Sequence, residues 1–423
     1  MVVRLAFGAL LMALTALLLI PQVSRLLARR GAIPVLQGAF ICSRLAVWLV
    51  TYGLFADIAV HSDLALYYTS EARSAANGSI PYLDFPSSYG PLFAYVLAAP
   101  WSVWPSSAAV ALPLVGSEIV AVLLFSRVAR TQRDMPEPVV ARTLFVYTLN
   151  PAALYWSGML AYNSSVVLMF WVYCVARLLR TRPGAAGVSL GASVLVGKFL
   201  GVLAGPVWFG CVRQRVRVLL TTGAVTIAVF LLLRQNGIDL LLPLRREGGR
   251  VTSGNLWFLI GSAVPVDLTS AWWQAAPLVV LAAGLAALTL FFVRAWHRPP
   301  NLIQLAAGIS SCGWLFMLLS RKGYPHYTPM FLLFFVLVLA ARSTNRWWPV
   351  LLALVGAIGV VEPGLWNAIG QPDSLSGADG RLGGPASALL AADLALIATT
   401  FWALWRSLTH VRSPDRIVEE CGS

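Results

Sequence analysis

Apolar stretches about as long as a bilayer is thick recur from one end of the chain to the other, with clusters of arginine between them. A helix needs roughly 20 apolar residues to cross about 30 Å of hydrocarbon, and only helices or closed barrels satisfy every backbone polar group there. With 58% hydrophobic and 11% charged residues, the 423-residue chain lies far from the balance of a soluble domain. These features predict an all-α polytopic transmembrane bundle of about 11–13 helices, with residues 1–423 forming a single domain. No length remains for a separate soluble one.

A formal net charge of +14 suits nucleic-acid binding only when the basic residues line one face or form a tail. Here they fall between apolar segments, so nucleic acid is not an expected partner. Helices are predicted near 5–20, 35–58, 107–128, 138–156, 159–178, 184–198, 199–212, 218–234, 270–293, 299–319, 328–341, 346–366 and 386–407. Arginines mark alternate connections: Arg25, Arg29 and Arg30; Arg127, Arg130 and Arg133; Arg177, Arg180 and Arg182; Arg213, Arg215 and Arg217; Arg294 and Arg298; Arg342 and Arg346; Arg406 and Arg412. The positive-inside rule places these in the cytoplasm, with 413–423 as a cytoplasmic tail, the N-terminus outside, and two short crossings around Lys198. The run at 5–20 reads as a retained helix, because no small-residue cleavage site follows it.

The opposite face then receives the long loops at 59–106, 235–269 and 362–385 and the short turn from Arg321 to Tyr327. Function is expected there. Within the first loop, Pro91 to Pro105 is apolar but short, which predicts an interfacial helix on the outer leaflet. Arg44 and Glu118 lie inside apolar segments, each with an insertion cost of order 3 kcal/mol if unpaired, and so predict a buried structural ion pair. The five cysteines have no metal-ligand spacing and read as small core residues. His61 and Asp63 lack the accompanying Asp-x-Asp or His-x-x-x-His, so no tightly bound metal is expected, and no cofactor.

The first loop carries the densest chemistry. Asp63 sits just past a helix end, where a carboxylate also serves as a cap in water, and Tyr67 follows four residues later on the same helical face. Asp57 is a competing carboxylate. Gly78-Ser79-Ile80-Pro81-Tyr82-Leu83-Asp84-Phe85 and Tyr89-Gly90-Pro91-Leu92 add tyrosines, a second carboxylate and Pro-fixed turns, more structure than a connector requires. The cations available on this face are Lys198, Arg245, Arg246, Arg250, Arg321 and Lys322, which include the only lysines of the chain. His326, flanked by Tyr324 and Tyr327, is a second acid/base or sugar-binding candidate.

The Asp-x-x-x-Tyr, Gly-x-x-Pro-Tyr-x-Asp-Phe and Tyr-x-Pro-Leu sequence resembles the first outer loop of the GT-C superfamily, membrane glycosyltransferases that use polyprenyl-phosphate sugars. Asn150-Pro151, Tyr162-Asn163, Lys198 and Arg321-Lys322-Gly323-Tyr324-Pro325-His326-Tyr327 agree with it. The branch it looks most like is the bacterial, largely actinobacterial, group containing polyprenyl-phosphomannose-dependent mannosyltransferases. Where that pattern often has Tyr-Pro-Pro, this chain has Tyr89-Gly90-Pro91.

The resemblance implies a bacterial cell-membrane hexosyltransferase whose catalytic base is Asp63. It would pass mannose, by inversion, from a polyprenyl phosphate to a lipid, glycan or peptide hydroxyl outside the cytoplasm. Tyr67, Tyr82, Asp84, Tyr89, Lys198, Arg250, Arg321, Lys322, Tyr324 and Tyr327 are the expected substrate contacts. A lipid-linked sugar flippase or transporter, or a ligase moving a whole glycan, shares many of these features, although no internal repeat points to a transporter. If the topology is right, cysteines introduced at Ser79 and Gly323 should both react with a membrane-impermeant thiol reagent in intact cells. Labelling of one alone would break the shared face.

Overall fold

The computed structural model describes residues 2–27, 29, 31–54, 62–197, 199–211, 215–235, 237, 251–264, 270–343, 345–372, 375 and 384–411. Asp57, His61, Lys198, Arg245, Arg246, Arg250 and the tail from 413 lie outside these residues. The described chain is all-α and polytopic, with no strand beyond an isolated bridge between Pro81 and Phe85. Its helices are α1 (Val2–Ala16), α2 (Pro21–Leu27), α3 (Ala32–Leu49), α4 (Thr69–Ala76), α5 (Phe93–Val103), α6 (Ser107–Thr131), α7 (Glu137–Leu149), α8 (Ser164–Leu179) and α9 (Pro183–Val196). After these come α10 (Gly205–Gly210), α11 (Arg215–Gln235), α12 (Leu256–Ala263), α13 (Ala271–Ala295), α14 (Leu302–Leu319), α15 (Pro329–Arg342), α16 (Trp348–Ala368) and α17 (Gly384–Val411).

Among the described residues, seven helices are long and apolar enough to cross a membrane, or nine if two bent pairs each count as one span. Four shorter apolar helices accompany them, Phe93–Val103, Pro183–Val196, Leu200–Gly210 and Pro329–Arg342. The last of these, α15, is apolar all round, and that composition places it at the centre of the bundle. It is buried from Pro329 to Ala341, with Phe334 edge-on to Phe125 of α6 and Phe331 and Phe335 edge-on to Trp314 of α14. By contrast α11 and α13 turn most of their apolar surface outward, as lipid-facing helices do. Cys174, Cys211 and Cys312 are buried as expected, but Cys42 is exposed on α3.

One expected helix breaks where proline chemistry breaks it, and one expected loop holds a helix. The segment predicted as one helix over 138–156 ends at Leu149, because Asn150 precedes Pro151 and is driven to an extended conformation (φ −66°, ψ 125°). A π segment, Ala153–Met159, follows, and α8 then leaves at 105° to it. The 235–269 stretch, predicted as loop throughout, contains α12. Its start is fixed by Asn255, whose side-chain oxygen accepts from the N–H groups of Trp257 (3.0 Å) and Phe258 (3.1 Å).

The expected intramembrane ion pair is present. Arg44 Nε and Nη2 meet Glu118 Oε2 and Oε1 at 2.9 and 3.1 Å, a two-point geometry joining α3 to α6. Arg44 Nη1 donates to the Thr148 carbonyl (3.2 Å), and the Tyr147 hydroxyl donates to Glu118 Oε1 (3.0 Å), which ties in α7. Phe40 lies 4.4 Å beneath the guanidinium. Removing one partner leaves a buried charge, so Glu118→Ala should destabilise the bundle by about 3–5 kcal/mol. Arg44→Met with Glu118→Leu should regain much of the loss. Thermal unfolding of the three detergent-solubilised proteins checks this, and a double variant no more stable than Glu118→Ala would count against it.

Candidate active site

Asp63 stands at the start of a π segment, Leu64–Tyr68, which runs directly into α4. Its side chain does not cap that helix. The capping contact comes from Ser62, whose hydroxyl accepts from Ala65 N (3.4 Å). Asp63 instead accepts a hydrogen bond through Oδ2 from the Tyr89 hydroxyl, at 2.9 Å. The i→i+5 bonding of a π turn, which widens the helix, also changes which tyrosine accompanies the carboxylate. Tyr67, expected on the Asp63 face, is 46% exposed, whereas Tyr68 is fully buried and electrostatically coupled to Asp63.

The loop from Asn77 to Leu92 folds back over this rod. Tyr82 adopts a left-handed backbone (φ 71°), and its hydroxyl donates to the Tyr89 carbonyl. Tyr89 packs its ring between Tyr68, edge-on at 5.0 Å, and Phe93 at 4.9 Å. Gly90 N donates to the Gly197 carbonyl (2.6 Å) and Leu92 N to the Leu195 carbonyl (2.9 Å), clasping the loop to the end of α9. Leu195 and Gly197 therefore abut the Asp63 loop. Asp84 is otherwise engaged: Ile80 N donates to its Oδ2 at 2.7 Å, closing a surface turn. Beyond the loop, α5 buries Phe93, Ala94, Leu97 and Ala98 and leaves Tyr95, Val103 and Trp104 exposed.

Residues 155–163 join this loop to the late turn. Asn163 N donates to the Tyr68 hydroxyl (3.3 Å), and Tyr162 lies within electrostatic reach of Asp63. Tyr162 stacks on His326 at 4.4 Å, Tyr324 stacks on His326 at 4.8 Å, and Trp156 meets the same imidazole edge-on at 5.9 Å. His326 is buried, 8% exposed, and Tyr327 is directed into the core against Phe316. The Arg321 carbonyl accepts from Thr252 N (2.9 Å) and Asn255 Nδ2 (3.1 Å), so the stretch before α12 props the late turn. Lys322 is half-buried. A cysteine at Gly323 would place Cβ 2.2 Å from the Met317 carbonyl, which moves the labelling position on this turn to Lys322.

Burial, and then the Asp63 charge, hold the Tyr68 and Tyr89 hydroxyls well above the usual tyrosine pKa. Burial first and Glu71 second do the same for Tyr82. These phenols remain protonated donors across the physiological range. A carboxylate facing buried donors and aromatic surface can accept a proton from a hydroxyl brought to it.

Sequence reasoning passed over Tyr68, Glu71, Ser87 and the buried carboxyls Glu362 and Asp393, which meet beside Gly254 on α16 and α17. For Glu71, its place in a polar stretch concealed the burial. Glu362 and Asp393 inside apolar runs were the available signal, as Arg44 and Glu118 were.

Comparison with protein families and with curated proteins gives no match. Among solved structures, the chain is similar to the oligosaccharyltransferase of Archaeoglobus fulgidus in its apo form, at 15% identity and a TM-score of 0.36. The match covers 90% of this chain and 57% of that one, so this chain spans little more than half the length of that protein. So loose an overlap leaves the site to be argued from its own geometry.

The clasp at Gly90 is testable. An alanine there would set Cβ 2.3 Å from the Leu195 carbonyl oxygen and 2.7 Å from that of Gly197. Gly90→Ala should release the loop and accelerate tryptic cleavage after exposed Arg73, read by intact mass. An unchanged cleavage rate would mean that the loop is held elsewhere.

Proposed function

We propose that the chain is a membrane glycosyltransferase of the GT-C type, moving a hexose from a polyprenyl phosphate to an acceptor hydroxyl at the extracytoplasmic face. The observation that carries this reading is Asp63: a carboxylate that does not cap the helix it begins, takes a hydrogen bond from a buried tyrosine and heads a loop clasped to the bundle. The motif order from Asp63 to Leu92 supports the superfamily, and its likeness to the mannosyltransferase branch makes mannose the sugar of choice.

In this reading the acceptor hydroxyl gives its proton to Asp63 while its oxygen attacks the anomeric carbon. The bond from that carbon to the phosphate oxygen breaks, and polyprenyl phosphate departs with the electron pair. A single displacement inverts the anomeric centre. General-base assistance is worth roughly 10²- to 10⁴-fold, with positioning and charge stabilisation supplying the rest. Lys198 and Lys322 are the compact cations for the departing phosphate, and Arg250 or Arg321 the fork to its oxygens. Tyr67, Tyr82, Asp84, Tyr324 and Tyr327 are the remaining candidate contacts around donor and acceptor, and His326 is the second acid/base candidate. The acceptor is a lipid, glycan or peptide bearing a free hydroxyl.

The test is transfer of label by the purified protein from radiolabelled polyprenyl-phosphomannose to a panel of lipid acceptors. Lipid movement without transfer would overturn the reading in favour of a flippase. Asp63→Asn should abolish turnover, by 10²-fold or more, while donor binding and folding survive. Asp84→Asn should be milder. Lys198→Ala and Lys322→Ala should each lower transfer about 10²-fold. Parental rates in both lysine variants would move the phosphate site to Arg245, Arg246 and Arg250.

A further inference from the structure

Tyr89 lies between two carboxylates. Its hydroxyl donates to Asp63 Oδ2 at 2.9 Å. Its backbone N–H donates to Ser87 Oγ at 3.2 Å, and that hydroxyl in turn donates to Glu71 Oε2 at 2.9 Å. Glu71 is 5% exposed and sits on α4, the continuation of the rod that Asp63 begins. The loop leaves this rod at Asn77 and returns to it at both ends, through Ser87 at Glu71 and through the phenol at Asp63. The Tyr89 carbonyl is held by Tyr82, the following N–H by Gly197, and the ring by Tyr68 and Phe93. With 2% of its surface exposed, Tyr89 presents almost nothing to a substrate.

We infer that Tyr89 is a positioning residue, not a substrate contact: its phenol, anchored through Ser87 to Glu71, holds the Asp63 carboxylate in the direction from which it takes the acceptor proton. The inference rests on the reading of Asp63 as the base. A carboxylate free to rotate about its side-chain torsions presents its basic oxygen in the reactive direction only part of the time, and one donor fixed at 2.9 Å removes that freedom. The same donor favours the ionised form that a base requires. Three phenols feel the Asp63 charge: Tyr68 on its own rod, Tyr89 on the loop and Tyr162 ahead of α8. Phenols stay neutral below about pH 10 and do not themselves generate an acid limb.

Tyr89→Phe keeps the ring and deletes the donor. With full-length protein, polyprenyl-phosphomannose as donor and octyl α-mannoside as acceptor, kcat should fall roughly 10- to 100-fold, the size of one hydrogen bond to a charged group. The donor KM should stay within about twofold of the parental value. The acid limb of the pH profile should move to higher pH, because Asp63 loses a bond that favours its charged form. A parental rate with an unmoved acid limb overturns the inference.

If Tyr89→Phe does not reach the membrane folded, Ser87→Ala carries the test, since it retains the phenol and cuts its anchor. A loss of roughly 2- to 10-fold with a shift in the same direction supports the inference, and a parental profile overturns it. Asp63→Asn run alongside separates the two levels. An active Asp63→Asn sinks the reading of the base itself, whereas an inactive one beside an unaltered Tyr89→Phe sinks only the role of Tyr89.

Discussion

The two-point contact between Arg44 and Glu118 fixes where the walls of the candidate site begin. Packing among apolar helices in lipid is weakly directional, because tails and side chains are equally apolar, so polar contacts decide rotation and register. This pair lies between α3 and α6, and its remaining polar groups bond to Tyr147 and Thr148 at the end of α7. Each of these three helices supports a segment of the site. A π segment, Val50–Leu54, continues α3, Asn150 and the π segment Ala153–Met159 continue α7, and α6 packs against both the Asp63 rod and α5. The Tyr52 hydroxyl donates to the Met159 carbonyl at 3.0 Å, so the two continuations meet again beyond the ion pair.

Around that anchor the backbone is irregular, and irregular backbone at membrane depth persists only where protein satisfies it. All three π segments of the described chain lie here, as do three of its five non-glycine residues with positive φ, Tyr82, Ala161 and Phe199. Such conformations cost of order 1–3 kcal/mol each and survive where the surroundings over-determine them. The surroundings do so by side-chain substitution for missing ladder bonds. Asn150 bonds Ala152 N (2.9 Å) and the Leu352 carbonyl (3.3 Å), and the Tyr68 hydroxyl takes Asn163 N. Backbone otherwise too polar for a membrane protein's interior is thereby built into the wall.

What the sequence made legible follows from this division. Hydropathy and arginine clusters are one-dimensional signals, and the long helices fall close to their predicted places, as α6, α11, α13 and α17 do. The Arg44–Glu118 contact was legible because isolated charges in apolar runs are costly enough to demand a partner. Tyr68 was hidden because a π turn cannot be read from residue spacing, and a regular helix puts Tyr67 in its place. Asp84 and Asp63 have the same spelling, whether a carboxylate closes a turn or faces a phenol. Only the fold shows that Ile80 N holds it.

The distribution of carboxylates fits one kind of chemistry better than another. Enzymes that expel a sugar hydroxyl require an acid for the leaving oxygen as well as a base, hence their paired carboxyl groups. A phosphate leaves as a stable anion and requires positive charge rather than a proton. Among the described carboxylates of the loop, Asp84 takes Ile80 N, Glu71 takes the Ser87 hydroxyl, and Asp63 meets the aromatic cluster through Tyr89. His326, stacked on both Tyr162 and Tyr324, presents little beyond its edge. On the proposed reading, one oriented base and cations for the phosphate are the minimal equipment for displacing a lipid phosphate. A bond made to a hydroxyl on an activated carbon asks nothing further of the side chains than that their directions be fixed.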